Sequence, residues 1–191
     1  LPYEYNGGCY ALPDTQNFFM MFYRTDIFQE LGLKVPNTWD EFLEVSAVLQ
    51  RNNLECYLPY TQIVDMTTIN SGVGGLTLFP TLLLQNGINL YADDLSATTF
   101  QEPPSISVFT FWTDFYTKQK FPVAMDFYNR FRTGTAPLGI QTYSLYTTLA
   151  VAAPEIDGRW AVVPIPGVES ATGEINRVQA GSGTGCSILA L

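Results

Sequence analysis

The segment from residue 17 to residue 23, NFFMMFY, is apolar at positions that face both sides of a β-strand. A strand with one face in water alternates apolar and polar residues, whereas a strand covered on both faces is apolar throughout. This segment therefore predicts a sheet with other structure packed on each of its faces. Alternating strands and helices meet that requirement by placing helices on both sides of the sheet.

The clearest helix start follows at residues 38–41, Thr-Trp-Asp-Glu, which have the pattern of a capping box. The Thr38 hydroxyl can accept from the backbone amide of Glu41, and the Glu41 carboxylate can accept from the amide of Thr38. Apolar residues then recur at intervals of three and four, at Trp39, Phe42, Val45 and Leu49. This spacing predicts a helix over 39–51 with one face on a core.

Further strands and helices alternate along the chain, so the fold class is predicted to be α/β. Strands are predicted at 3–6, 9–12, 57–61, 136–141, 160–165 and 186–191, and helices at 26–31, at 76–85 and from 103 onward. An apolar segment covers 145–153. Thr25 is the predicted cap of the helix at 26–31. The glycine-rich stretch 181–185 is expected to lead into the last strand.

Charge and hydropathy narrow the functional classes. Acidic residues outnumber basic ones 18 to 9, which gives a formal charge of -9, and the basic residues are scattered. This distribution argues against a nucleic-acid partner. No uninterrupted apolar stretch approaches the roughly 20 residues that a membrane-spanning helix needs. Because the chain begins without Met and stops within an apolar run, we expect a fragment of a longer polypeptide.

The chain has no histidine. The absence of histidine excludes Ser-His-Asp and Cys-His catalytic sites, His-based zinc sites and the commonest general base. The three cysteines, Cys9, Cys56 and Cys186, are far apart and form no C-x-x-C pair. A zinc ribbon or a thioredoxin-type site is therefore not indicated. We expect no catalytic residue, no metal and no cofactor.

Six short motifs follow one another in order along the chain. They are YALP at 10–13, MFYRTDIF at 21–28, LGL at 31–33, PNTWDEF at 36–42, FRTGTAPLGI at 131–140 and WAVVPIPG at 160–167. In this order and spacing they resemble the extracellular solute-binding proteins of carbohydrate ABC transporters, family 1, of the maltose-binding-protein-like type. The resemblance covers nearly the whole chain.

The resemblance implies a periplasmic-binding-protein-like fold of type II, in which two α/β lobes close around a ligand in the cleft between them. Residues 1–13 would then be a lobe-crossing hinge region and residues 14–130 mostly lobe two. Residues 131–180 would return to lobe one, and residues 181–191 would form a second crossing strand. The chain would hold most of lobe two and part of lobe one, without the N-terminal and C-terminal parts of the full protein.

The function implied is that of a non-enzymatic component of an ABC importer, which captures a carbohydrate, an oligosaccharide in particular, and delivers it to the permease subunits. Such a protein is extracellular and lipid-anchored, or periplasmic, and any membrane anchor would lie outside this fragment. A carbohydrate-active enzyme stays open as an alternative, although no spacing among Asp65, Asp93, Asp94 and Asp126 singles out a catalytic pair. A sensory ligand-binding module on the same fold is another alternative.

A sugar site needs amide and hydroxyl groups at its polar points and aromatic rings as platforms. The resemblance places these candidates near the cleft: Thr15, Gln16, Asn17, Asn70, Ser71, Thr77, Arg130, Gln141 and Tyr143. Each polar stretch could instead be a capped turn or a surface loop, and Arg130 could be ion-paired. We expect Tyr146, Trp39 and Trp112 to lie in the core and Trp160 to be structural. A disulfide between Cys9 and Cys186, both near the predicted crossings, is a further option.

Overall fold

The computed structural model describes residues 3–59, 78–92 and 94–187. Within these ranges the helices are α1 (Thr25–Glu30), α2 (Trp39–Arg51), α3 (Leu78–Gln85), α4 (Pro103–Thr117), α5 (Phe127–Thr133) and α6 (Ser144–Ala152). The strands are β1 (Glu4–Tyr5), β2 (Gly8–Cys9), β3 (Leu12–Asn17), β4 (Phe19–Arg24), β5 (Cys56–Tyr57), β6 (Leu138–Thr142), β7 (Trp160–Val163), β8 (Val168–Glu169), β9 (Ile175–Asn176) and β10 (Ser182–Cys186). In this described part, no helix combines the length and the apolar content that crossing a membrane requires.

Four strands form the central sheet in the order β5, β6, β4, β7. Strand β4 runs antiparallel to both β6 and β7, whereas β5 and β6 are parallel. In β4 the side chains of Phe19, Met21 and Phe22 are fully buried. Neighbouring residues of a strand point to opposite faces. The prediction of a strand covered on both faces is therefore confirmed.

An apolar core lies on each face of the central sheet. Phe19 and Met21 belong to the core that includes residues of α2, α3 and α4. Phe22 belongs to the second core, with residues of α5 and α6. Fully burying one large apolar side chain contributes roughly 1.5–3 kcal/mol. The result is a layered α/β body with helices on both sides of the sheet, which confirms the predicted fold class.

Helix α2 begins and ends at the predicted residues. Its capping box is formed, because the Glu41 amide donates to the Thr38 hydroxyl and the Thr38 amide donates to the Glu41 carboxylate, both at 3.3 Å. A cap of this kind contributes about 1 kcal/mol. Trp39 is in the core, as predicted, and its indole N–H donates to Gln85 Oε1 at 2.7 Å. This bond joins α2 to α3.

Helix α1 begins one residue earlier than predicted. Thr25 is its first residue and not its cap, and Arg24 holds the N-cap position with extended backbone and no capping bond from its side chain. The Arg24 amide donates to the Pro137 carbonyl at 2.8 Å, and the Thr25 amide donates to the Arg159 carbonyl at 2.9 Å. Tertiary contacts, which a local pattern does not contain, therefore determine where α1 starts.

Strands β3 and β10 form an antiparallel ribbon separate from the central sheet. Thr15 lies opposite Thr184, and the register shifts between Thr184 and Gly185. The last strand begins at Ser182, earlier than residue 186 where the local pattern placed its start, so most of the glycine-rich stretch is part of β10. Gly183 is required there, since a Cβ at that position would lie 2.4 Å from the Thr15 carbonyl oxygen.

Segments on both sides of residue 130 contribute to the central sheet. Strands β4 and β5 precede that residue and β6 and β7 follow it, but all four belong to one sheet. Phe22 and Phe131, from either side of residue 130, share one core. How these segments are distributed between the lobes of a whole protein stays a prediction.

The three cysteines Cys9, Cys56 and Cys186 are free thiols. The Cys9–Cys186 disulfide that the sequence left as an option is thus not formed. Cys9 and Cys186 are exposed, whereas Cys56 on β5 is fully buried. Burial, with a smaller contribution from the charge of Glu55, raises the pKa of the Cys56 thiol far above its ordinary value.

Candidate ligand-binding site

Three segments of the chain meet where the β3–β10 ribbon joins the central sheet. They are the end of β3 with Phe18, the end of β6 with Tyr143, and the approach to β10 with Gln179. The Tyr143 amide donates to the Phe18 carbonyl at 3.0 Å. The Gln179 side chain accepts from the Phe19 amide at 2.8 Å and donates to the Phe19 carbonyl at 3.0 Å. These bonds hold the three segments in one arrangement.

Four aromatic side chains follow one another at this junction and are called the aromatic row: Phe18, Tyr143, Tyr146 and Trp160. Their successive ring centroids are 5.4, 5.5 and 5.4 Å apart. Tyr143 is nearly parallel to both Phe18 and Tyr146, with interplanar angles of 14° and 18°. Tyr143 and Tyr146 are each 42% exposed. The row therefore presents aromatic surface to solvent, where a ligand can pack against it.

Uncharged polar side chains border the aromatic row on the ribbon side. The hydroxyl groups of Thr15 and Thr184 are hydrogen-bonded to each other at 2.6 Å. Gln16 follows Thr15 as an exposed residue, and half-buried Asn17 leads into Phe18. Asn and Gln amides and Thr hydroxyls both donate and accept hydrogen bonds. This edge can thus match hydroxyl groups of either polarity.

More polar groups lie on the other side, at the end of β6. The half-buried Gln141 side chain accepts from the Thr142 amide at 3.1 Å. The Thr142 hydroxyl is hydrogen-bonded to the Ser144 hydroxyl at 2.8 Å. Ser144 is the first residue of α6, which also carries Tyr146. The turn between β6 and α6 therefore sets the polar groups and the aromatic rings side by side.

Five of the nine predicted contacts lie in the three segments that converge here: Thr15, Gln16, Asn17, Gln141 and Tyr143. Arg130 does not join them. Its guanidinium pairs with the Glu55 carboxylate, next to β5 and near the start of β6, whereas Tyr143 follows the end of that strand. The ion-paired alternative for Arg130 is the one observed. The remaining three candidates, Asn70, Ser71 and Thr77, lie outside the described residues.

Sequence reasoning missed several members of this site. The prediction that Tyr146 lies in the core is wrong, given its exposure. One signal could have found it, because residues three apart near a helix start lie on one helix face, and Tyr146 is three residues after Tyr143. Phe18, Gln179 and Thr184 had no such signal, since only strand pairing and side-chain packing bring them to the site. Trp160, predicted as structural, is half-buried and packs against the second core.

The groups with a clearly shifted pKa belong to other parts of the described chain. The hydrogen bond from Arg24 lowers the pKa of Asp26, and the side-chain hydrogen bond from Asn129 lowers that of Asp126. Within the described ranges, no cluster of three or more His, Cys, Asp or Glu side chains could hold a metal ion. The site consists of neutral hydrogen-bonding groups and aromatic surface, which suits reversible binding of a polar molecule.

A layered α/β body with such a site at its junction is the pattern of a binding protein. The profile of the family described as bacterial extracellular solute-binding protein matches residues 1–187. The chain belongs to this family of bacterial extracellular solute-binding proteins. The family is one of proteins that bind solutes outside the cytoplasm.

Solved structures with a similar fold agree with this assignment. An ABC transporter solute-binding protein from Thermotoga lettingae, bound with α-D-tagatose, matches with a TM-score of 0.67 and 22% identity, over 94% of this chain and 44% of that one. The sugar-binding protein MalE from Xanthomonas citri matches with a TM-score of 0.67 and 21% identity, over 97% of this chain and 44% of that one. These likenesses confirm the predicted solute-binding-protein fold.

A curated relative matches a shorter segment. The multiple sugar-binding protein of Streptococcus mutans serotype c is 46% identical over 43 residues, which is 22% of this chain and 10% of that protein. The chain spans less than half the length of each of these three proteins.

Proposed function

We propose that this chain is part of an extracellular protein that captures a carbohydrate for an ABC importer. The observation that carries the proposal is the exposed aromatic row bordered by amide and hydroxyl side chains. Sugar rings have C–H faces that pack against aromatic surface, and their hydroxyl groups both donate and accept hydrogen bonds. Two neighbouring rings of the row, Tyr143 and Tyr146, are exposed, and the ligand we propose is an oligosaccharide that packs along them.

In this proposal the layered body is one lobe and the β3–β10 ribbon leads to the other. The ribbon pairs two strands outside the central sheet and carries a register shift beside Gly185. Such a ribbon can bend at the shift while the packed body stays rigid. The ligand would lie against the aromatic row and draw a second lobe, supplied by residues outside this chain, onto it.

Membership in the family and the likeness to sugar-binding proteins support a transport role. The protein would deliver its ligand to the permease subunits of an ABC transporter. It would be held at the cell surface by a lipid anchor outside this chain, or lie in the periplasm. An enzyme that shares this fold would instead need two facing carboxyl groups beside the ligand. The described site is built from neutral side chains.

A thermal-shift screen of the full-length protein tests the proposal. The protein is first unfolded and refolded to remove any bound molecule, and is then heated with single mono- and oligosaccharides. A ligand at about 100 times its Kd stabilises the folded state by roughly 2.7 kcal/mol. We expect at least one saccharide to raise the Tm in a dose-dependent way. A Tm that no saccharide raises would contradict the proposal.

Two further measurements separate the alternatives. Mass spectrometry of the saccharide after incubation is expected to recover it unchanged, whereas conversion to products would indicate a carbohydrate-active enzyme. Uptake of the same saccharide, labelled, is expected to fall when the gene is deleted from the source cells. Normal uptake together with a lost transcriptional response would indicate a sensory module.

A further inference from the structure

Helix α3 is apolar except at two positions. Its sequence, LFPTLLLQ, has polar side chains only at Thr81 and Gln85, and both residues are buried, at 0% and 3% exposure. A polar group that is buried without a hydrogen-bond partner is unfavourable. Residues four apart lie on the same face of a helix. The two polar side chains therefore mark one face of α3 from which hydrogen bonds to other segments are required.

Both side chains bond to the part of the chain that leads to β10. The Thr81 hydroxyl accepts from the Ala180 amide at 3.1 Å. The Gln85 side chain donates to the Pro166 carbonyl at 3.1 Å. The Asn176 side chain donates to the carbonyl groups of the last two residues of α3, at 3.3 and 2.9 Å. Helix α3 thus holds the chain before and after the strands β8 and β9.

Residues 176–180, called the anchor segment, have further bonds to the rest of the chain. The Arg177 guanidinium donates to Asn37 Oδ1 at 2.9 Å. The Gln179 side chain bonds to both the amide and the carbonyl of Phe19. Strand β10 begins two residues after this segment. The anchor segment therefore fixes the place at which β10 starts.

The position of β10 affects the geometry of the candidate site. Strand β10 carries Thr184, whose hydroxyl is bonded to that of Thr15 at the polar border. The rings of the aromatic row lie beside the ends of central-sheet strands and on α6. A displacement of β10 would thus move the polar border relative to the rings. Thr81 itself has no exposed surface, so it influences a ligand at the aromatic row only through the chain that it holds.

We infer that Thr81 is a positioning residue for the candidate site. Through the Ala180 amide it sets where β10 starts, and thereby where the polar border lies relative to the aromatic row. The inference rests on the proposed function in what it says of a ligand. The hydrogen bond between Thr81 and Ala180 is independent of that function.

Hydrogen exchange of the full-length protein tests the anchor without a ligand. Thr81→Val removes the acceptor of the Ala180 amide with little change in shape. We expect the amides from residue 180 through β10 to exchange about tenfold faster, since one lost hydrogen bond has roughly that effect. Thr81→Ser keeps a hydroxyl and is expected to retain slow exchange. Exchange in β10 that is equal in Thr81→Val and the wild type overturns the inference.

Ser46→Ala is the matched control. Ser46 is also a buried hydroxyl on a helix, but it donates to the Leu43 carbonyl within α2. Its loss is expected to leave exchange in β10 unchanged. An equal acceleration in Ser46→Ala would show that any buried hydroxyl acts in this way, which contradicts a specific role of Thr81.

Calorimetry well below the Tm distinguishes positioning from stability. The probe is maltotriose, or the saccharide that raises the Tm most in the thermal-shift screen. We expect the Kd of Thr81→Val to rise at least about threefold, and the Kd of Thr81→Ser and Ser46→Ala to stay at the wild-type value. A merely structural role would lower the Tm of Thr81→Val and leave its Kd unchanged. An unchanged Kd therefore overturns the positioning role.

Asn176→Ala is a second variant that does not depend on the folding of Thr81→Val. It removes the side chain that bonds to the end of α3, and is expected to accelerate exchange in β10 and to raise the Kd. Wild-type exchange and Kd in this variant count against the inference. If no saccharide binds the wild type, the proposed function fails, whereas hydrogen exchange still decides whether Thr81 anchors β10.

Discussion

The Gln179 side chain takes the place of a neighbouring strand for Phe19, the first residue of β4. It accepts from the Phe19 amide at 2.8 Å and donates to the Phe19 carbonyl at 3.0 Å. On that side of β4, the pairing with β7 in the described chain runs only from Met21 to Arg24. A side-chain amide has one donor and one acceptor group in the geometry of a peptide. Gln179 therefore completes the sheet where the ribbon departs.

We predict that Gln179→Ala lowers the free energy of unfolding by about 1–3 kcal/mol, because it leaves two buried backbone groups without a partner. It also releases the segment that leads into β10, so ligand affinity of the full-length protein is expected to fall. Urea unfolding and calorimetry measure the two effects. Gln50→Ala is the control, since Gln50 is exposed and its side chain donates to the Gln119 carbonyl. We expect it to lower the free energy of unfolding by no more than about 0.5 kcal/mol. An equal loss of unfolding free energy in Gln179→Ala and Gln50→Ala would contradict the role of Gln179.

Two glycines of the same stretch should respond differently to alanine. A Cβ at Gly183 would lie 2.4 Å from the Thr15 carbonyl oxygen, whereas a Cβ at Gly181 meets the Asn17 carbonyl oxygen at an ordinary 3.6 Å. Gly183→Ala is expected to lower the free energy of unfolding by about 1–3 kcal/mol, because the added methyl group overpacks the ribbon. Gly181→Ala is expected to stay within about 0.5 kcal/mol. Thermal unfolding measures the stability of both variants. Faster hydrogen exchange in β3 of Gly183→Ala, but not of Gly181→Ala, would show that the ribbon is the part destabilised.

The Tyr143 ring is predicted to contribute to ligand binding. Tyr143→Ala removes the middle of the aromatic row, between Phe18 and Tyr146. We expect the Kd of the full-length protein for its saccharide to rise about tenfold or more, the size of effect seen when an aromatic anchor is truncated. Tyr143→Phe keeps the ring and measures the hydroxyl alone. Tyr91→Ala is the control, because Tyr91 is 53% exposed in another loop, and it should leave the Kd unchanged. An equal rise in Kd for Tyr91→Ala would refute the assignment of Tyr143.

Asp26 is predicted to make stability depend on pH in the acid range. The hydrogen bond and charge of Arg24 lower its pKa in the folded state from the ordinary value of 3.8. A group with a lowered folded pKa stabilises the fold above its unfolded pKa, and that contribution is lost as the pH falls through the folded value. Asp26→Asn is therefore expected to be less stable than the wild type at pH 6, with the difference shrinking as the pH falls below about 4.

Chemical denaturation at several pH values measures this difference. Glu44→Gln, an exposed carboxylate on α2, is the control and is expected to leave the acid dependence nearly unchanged. If the gap between wild type and Asp26→Asn stays constant from pH 6 to pH 2, the Arg24–Asp26 pair does not contribute in this way.

The thiols are predicted to fall into two reactivity classes. Cys9 and Cys186 are exposed, whereas Cys56 is fully buried and burial raises its pKa. Since the thiolate is the reactive form, Cys56 should react with Ellman's reagent only after unfolding. Two thiols are expected to react quickly in the native chain and a third in urea. A total of one thiol in unreduced, unfolded protein would reveal a disulfide instead.

Local sequence signals predicted the elements that depend on local interactions. The capping box and the apolar spacing behind it gave the bounds of α2, because both involve groups within four residues of each other. The apolar run at 17–23 gave β4 and the layers around it. The start of α1 was missed, since carbonyl groups of Pro137 and Arg159, more than a hundred residues away, hold it.

Part of the candidate site was also recognisable from local sequence signals. Thr15, Asn17 and Gln141 are recognisable as polar residues at the ends of apolar strands, and Tyr143 as an aromatic residue in such a place. For Arg130 the sequence left ion pairing open as an alternative, and it did not identify the partner, because Glu55 is distant in sequence.

By itself, the sequence determined the α/β class, helix α2, the doubly covered strand β4 and the family resemblance, since periodicity, capping and ordered motifs are properties of neighbouring residues. Only the tertiary structure decided that residues on either side of position 130 share one sheet, that the last strand begins at Ser182, and that Phe18, Tyr146 and Gln179 join the candidate site. Those outcomes depend on strand register and on which side chains meet across the fold. Register is a relation between distant segments, and a single chain read in order does not specify it.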